Sequence, residues 1–168
     1  MVSIGIGDGS GAVKYACKLD FDNGDKLTGY DLHQTYLKKA KEKIINLETH
    51  CVDLNKLSPD CRLPCKDNSV DIVECTMVAH HIENFNNLII EIKRILKPAG
   101  CFFYLDLIDK TICERKMLFM DDHKYPPFHG VEFFRDQETI KDITNRHLSV
   151  DNDLRIGPGI LLLSAVKE

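Results

Sequence analysis

Apolar positions along the chain fall in short runs that alternate with stretches of helical period. The runs at 2–6, 27–30, 49–52, 70–75 and 101–107 are too short for helices and read as strands. The last is apolar nearly throughout, as a central strand covered on both faces would be. Between them, residues 12–19 and 34–47 carry helical spacing. In the second, Tyr36, Leu37, Ala40, Ile44, Ile45 and Leu47 line one side. Residues 84–96 repeat the pattern through Leu88, Ile89, Ile92, Ile95 and Leu96, and Lys97-Pro98-Ala99-Gly100 stops it. Residues 53–69, with Pro59, Pro64 and Asp67-Asn68-Ser69, read as loop. After Asp109 the pattern weakens. Residues 111–120 read as helical, 124–130 as loop around Pro126-Pro127, and 136–147 as a helix with an acidic first turn. Runs at 149–156 and 159–167, joined by Gly157-Pro158-Gly159, read as two strands in a hairpin-like connection.

Strand and helix in alternation predict an α/β fold. The expected form is a doubly wound, Rossmann-like, mostly parallel sheet with an antiparallel strand at its C-terminal edge. No repeat, low-complexity tract or linker divides the chain, so residues 1–168 read as a single domain.

Composition narrows the classes. No apolar stretch approaches the ~20 residues of a membrane span, and the N-terminus lacks a basic segment followed by an apolar core. A cytoplasmic protein is expected. A net charge of −4 and a pI near 6.0 argue against a nucleic-acid partner. The basic cluster Lys38-Lys39-Ala40-Lys41-Glu42-Lys43 reads as a solvated helix face. The seven cysteines show no Cys-x-x-Cys pair and read as reduced. Cys61 and Cys65 with His80-His81 lack regular zinc-ligand spacing, so no metal site is expected.

Candidate chemistry sits at the start. The run ending at Ile6 breaks into Gly5, Gly7, Gly9 and Gly11, then passes into helical spacing. Glycines there allow φ > 0 and let a ligand approach the backbone. A helix N-terminus adds free N–H groups and partial positive charge. Asp31 ends the second run, where a carboxylate accepts hydrogen bonds from both hydroxyls of a ribose. The pairing points to a nucleoside-containing cofactor at the edge of a parallel sheet. Gly7-Asp8-Gly9-Ser10-Gly11-Ala12 also fits the G-x-G-x-x-A dinucleotide fingerprint, so the turn alone leaves the cofactor class open.

Downstream blocks separate the classes. Leu63-Pro64-Cys65-Lys66-Asp67-Asn68-Ser69-Val70-Asp71-Ile72-Val73, then His80-His81-Ile82, then Arg94-Ile95-Leu96-Lys97-Pro98-Ala99-Gly100, resemble the ordered blocks of class I S-adenosylmethionine-dependent methyltransferases. Gly29-Tyr30-Asp31-Leu32 with Leu37 and Ala40 resembles another. The resemblance runs from residue 2 to residue 107 and is nearest the ubiquinone and menaquinone methyltransferase-like branch. It implies S-adenosylmethionine as cofactor, S-adenosylhomocysteine as product and a small-molecule acceptor. Gly5, Gly7 and Gly9 would pass under the methionine and ribose, Asp31 would hold the ribose hydroxyls, and Leu32 would pack on the adenine. Asp53 and Leu54 would sit at the adenine edge, and Cys75, Thr76 and Met77 would face the methionine portion and the methyl group.

Three departures accompany the resemblance. Ser3 stands where the family usually has an acid. Ala99 replaces a glycine, a minor change where φ stays negative. The family's N-terminal covering helices have no counterpart before Val2, so the expectation is that another element or a second subunit covers the site, or that the chain is a shortened form. Residues 109–134, rich in methionine and aromatic side chains, are expected to supply that cover and the acceptor pocket. A base is needed only for a protonated acceptor, and His81 and His129, with His80 and His123, are the candidates. The alternative is a methyltransferase-like subunit that binds cofactor or partner without turnover.

Overall fold

The computed structural model describes residues 1–108, 132–156 and 159–168. Among them the strands are β1 (Val2–Ile4), β2 (Leu27–Asp31), β3 (Leu47–Cys51), β4 (Val70–Thr76), β5 (Leu96–Leu107), β6 (Ser149–Ile156) and β7 (Ile160–Val166). The helices are α1 (Val13–Ala16), α2 (Gln34–Lys43), α3 (Phe85–Ile95) and α4 (Gln137–Asn145). The strands form one seven-stranded sheet in the order β3-β2-β1-β4-β5-β7-β6. Pairing is parallel from β3 through β5, and β7 lies antiparallel between β5 and β6. This is the doubly wound arrangement with an antiparallel C-terminal element that the run pattern predicts. The order reverses between β1 and β4, so their carboxyl ends flank the crevice where such sheets take ligands.

Strand alternation divides the side chains between two layers. Val73 and Cys75 of β4 align with Phe102 and Tyr104 of β5 and with Ala165 and Leu163 of β7. This face packs under α3 through Phe85, Leu88, Ile89, Ile92 and Ile95, spaced one helical face apart. The Asn84 side chain caps α3 by accepting from Asn87 N–H at 3.1 Å, and Asp136 caps α4 by accepting from Thr139 N–H at 2.8 Å. On the opposite face α1 and α2 bury Ile6, Leu27, Leu37, Ala40, Ile44 and Leu47. Among the described residues that layer lies over β1–β3, with Tyr15 reaching Glu74 on β4. Phe103 on β5 is 43% exposed, so β5 has one buried face and one partly open face, against the expected cover on both.

Three element ends differ from the sequence reading. α2 stops at Lys43, because Ile44 is extended and Asn46 takes a left-handed φ of 64°. Asparagine tolerates that region and ends helices as glycine does. Ile45 is left 81% exposed and Leu47 joins β3. β5 begins at Leu96, because the turn after α3 is absorbed as a register shift opposite Val70 and Ile72. Ala99 takes φ 60° there, so its replacement of glycine is strained. α1 is a single turn, and no side chain caps its start. The chain beyond it is taken up by the turn that Asp20 caps and Gly24 closes at φ 96°.

Candidate active site

The glycine turn is tied to the neighbouring strand. Gly5 and Ile6 N–H both donate to Tyr30 O, at 2.8 and 3.0 Å. Gly5, Gly7 and Gly9 all have positive φ. Their missing side chains serve different purposes. A Cβ on Gly5 would lie 2.4 Å from Val78 Cγ2, and one on Gly9 would lie 3.0 Å from Ala40. Those two glycines let the turn pack against the loop after β4 and against α2. Gly7 has nothing within 4 Å of its Cβ position. Its backbone faces open space. The four-residue α1 is too short for a sizeable dipole, so the helix-end charge expected from the sequence contributes little.

Asp31 ends β2 beside this turn. Its Oδ2 accepts from Gly7 N–H at 2.9 Å and its Oδ1 from His33 N–H at 2.8 Å. A carboxylate offers about four lone-pair sites, so acceptor capacity remains on both oxygens. Leu32, next in sequence, is 53% exposed. Asp53 caps the short turn Leu54–Lys56 by accepting from Asn55 N–H, and its carboxylate lies 3.6 Å from Lys56 Nζ. Leu54 is buried. Asn55 donates to His81 O at 3.1 Å and accepts from Glu83 N–H at 2.8 Å, pinning the loop after β3 to the loop after β4.

Beyond β4 the named residues part company. The Cys75 side chain is fully buried in the α3 layer, and burial, then Asp106 and Glu74, push its thiol pKa well up. Thr76 and Met77 lie at the surface of the strand end, with Met77 at φ 56°. Asp106, near the end of β5, organises the loop after β4. Its Oδ2 accepts from the N–H groups of Val78, Ala79 and His80 at 3.1, 2.6 and 3.2 Å. Its Oδ1 accepts from Leu107 N–H and lies 2.5 Å from His80 Nδ1. Both side chains are buried, and His80 Nε2 has no partner among the described residues. The His81 ring lies 4.0 Å from that of His80, and burial, then His80, hold its pKa below the ordinary value. Phe134 stacks on His80 at 5.9 Å, Phe133 N–H donates to His80 O, and Arg135 donates to Ile82 O and Glu83 O. The end of the expected covering segment therefore packs on this loop. Residues 109–131, with His123 and His129, lie outside the described residues.

The strand ends thus gather Gly5, Gly7, Asp31, Leu32, Thr76 and Met77 at one edge of the sheet, with Asp53 and Leu54 in the adjoining loop. Sequence reading missed Asp106, Asn55 and Glu74. Asp106 is an acid at the end of an apolar strand, a signal the pattern contains. Asn55 has none.

A family model described as a methyltransferase domain matches residues 2–104. A sterol 4-C-methyltransferase of Caenorhabditis elegans is 33% identical over 131 residues, covering 76% of this chain and 36% of the relative. A ubiquinone/menaquinone biosynthesis C-methyltransferase of Rickettsia felis is 31% identical over 107 residues, covering 63% and 43%. The chain therefore spans about two fifths of the length of these curated relatives. A solved S-adenosylmethionine-dependent methyltransferase from Mesorhizobium loti superposes with a TM-score of 0.73 at 18% identity, covering 98% of this chain and 89% of that one.

Proposed function

The chain belongs to the class I S-adenosylmethionine-dependent methyltransferase family, and from that premise we propose that it binds S-adenosylmethionine across the carboxyl ends of β2, β1 and β4 and methylates a small-molecule acceptor. The observation that carries this reading is the joint of Gly7, Asp31 and His33, where open backbone meets a carboxylate with acceptor capacity to spare. Asp31 takes the ribose hydroxyls, Leu32 offers its exposed face to the adenine, and Leu54 and Asp53 close the adenine edge. Thr76 and Met77 face the methionine arm from β4, with the Cys75 contribution confined to backbone.

When bound, the cofactor supplies a methyl group already activated by its sulfonium. The protein's part is alignment at about 3 Å and exclusion of water. Asp106 fixes the loop beside the methyl by holding three successive N–H groups. For a protonated acceptor, His81 is the candidate base, since its lowered pKa favours the neutral imidazole. The negative net charge favours a small molecule over nucleic acid. Among the described residues no helix is long and apolar enough to cross a membrane.

The open face of β4 and β5 favours a second reading, a methyltransferase-like subunit that binds a partner there. Thermal unfolding with S-adenosylhomocysteine tests the cofactor reading. Ligand at ~100 times its Kd adds about 2.7 kcal/mol and raises Tm. A Tm unmoved by saturating ligand contradicts it.

A further inference from the structure

Glu74 pairs in register with Ser3 across the β1–β4 seam. Its carboxylate is held by three hydroxyls. Ser3 Oγ and Tyr15 OH donate to Oε1 at 2.6 and 2.7 Å, and Thr76 Oγ1 donates to Oε2 at 2.5 Å. Burial, then the Glu74 charge, push the Tyr15 phenol pKa up, so it stays a donor. The bond to Thr76 brings the carboxylate level with the last residue of β4, at the ligand edge of the sheet.

Hydroxyls satisfy lone pairs but supply no opposite charge. Among the described residues, no lysine, arginine or histidine lies within ion-pair distance of Glu74. The nearby acids differ: Asp8 pairs with Lys43, Asp53 with Lys56, and Asp71 with Lys97. A half-buried carboxylate without a counter-charge is costly. Its three donors leave it oriented to receive a cation.

The sheet sets where that cation belongs. β1 lies between β2 and β4, so Asp31 and Glu74 stand two strand spacings apart across the sheet, about 10 Å, with Asp31 two residues further toward the carboxyl edge, since Glu74 is level with Gly29. By strand alternation both project from the α1–α2 face. With the ribose on Asp31 and the adenine toward β3, the rest of the cofactor runs over Gly5–Gly7 toward β4. Its end carries an ammonium. We propose that Glu74 receives the ammonium of the cofactor's methionine arm, with Ser3, Tyr15 and Thr76 as its positioning residues. This assignment rests on the cofactor reading above.

The test is calorimetric titration of the full chain and of Glu74→Gln with three ligands. They are S-adenosylhomocysteine, its deaminated analogue, and 5′-methylthioadenosine, which keeps the nucleoside and thioether and lacks the amino-acid end. Glu74→Gln should weaken S-adenosylhomocysteine about tenfold or more, the scale of one charge-assisted bond, and leave 5′-methylthioadenosine within about twofold. Deamination should weaken binding to the wild-type chain by a similar factor and add nothing in the variant. An unchanged affinity in Glu74→Gln, or equal loss of all three ligands, overturns the assignment of Glu74 while the cofactor reading stands. If the variant does not fold, wild-type indifference to deamination still overturns it. A wild-type chain that binds none of the three overturns the cofactor reading and this assignment with it.

Discussion

Gly7 and Asp31, 24 residues apart, meet in a 2.9 Å hydrogen bond from backbone N–H to Oδ2. The bond fixes the carboxylate at the mouth of the glycine turn before any ligand arrives. Asp31→Ala should lower S-adenosylhomocysteine affinity at least about tenfold, ~1.4 kcal/mol, because charge-assisted bonds to two hydroxyls are lost. Calorimetry reads this directly, and an unchanged Kd places the ribose elsewhere.

Gly5 is required by Val78. An alanine there combines left-handed strain of about 1–2 kcal/mol with a Cβ 2.4 Å from the valine methyl. Gly5→Ala should destabilise the chain by about 2 kcal/mol or more in urea unfolding. The loss should shrink in a Val78→Gly background, because Val78 Cβ would itself lie 2.6 Å from the new Cβ. Equal losses in both backgrounds would show that the contact is not the cause.

Ala99 offers the opposite opportunity. Its φ of 60° makes Ala99→Gly stabilising by up to about 1 kcal/mol, after the greater chain entropy of glycine is subtracted. Gly100→Ala, whose Cβ would sit 2.9 Å from Lys97 O, should destabilise. The two midpoints in urea should move in opposite directions.

His81 makes stability depend on pH. Its folded pKa lies below the unfolded 6.5 because burial, then His80, disfavour the imidazolium. Above pH 6.5 both states are neutral and its contribution is fully present. As pH falls, the unfolded chain takes the proton first, and stability is lost until the folded pKa is passed. Between pH about 7.5 and about 5.5, wild type should lose more unfolding free energy than His81→Gln. Parallel pH profiles would contradict this.

Local signals carried much of the fold. The run pattern marked every strand described, by short apolar runs in the parallel part and by the Gly157-Pro158-Gly159 break between the last two. The glycine turn and Asp31 were legible because positive φ and a strand-end acid are written in residue type. Helix ends were not. Ile44 and Ile45 continue the apolar spacing of α2, but the helix stops at Lys43, where Ile44 turns extended ahead of the left-handed Asn46. Contacts set by register were hidden as well. Ser3 stands where an acid is usual, and Glu74 lies directly across from it, but that pairing appears only once β1 and β4 are aligned. The Asp106–His80 pair is likewise a meeting of two strand ends.

The central claim is that this sheet edge holds S-adenosylmethionine. Its most direct test is calorimetric titration of the wild-type chain with S-adenosylmethionine, alone and in excess NAD. The account predicts saturable binding of one cofactor per chain that NAD leaves unchanged. Tight NAD binding, or no heat of binding with S-adenosylmethionine or S-adenosylhomocysteine, would contradict it.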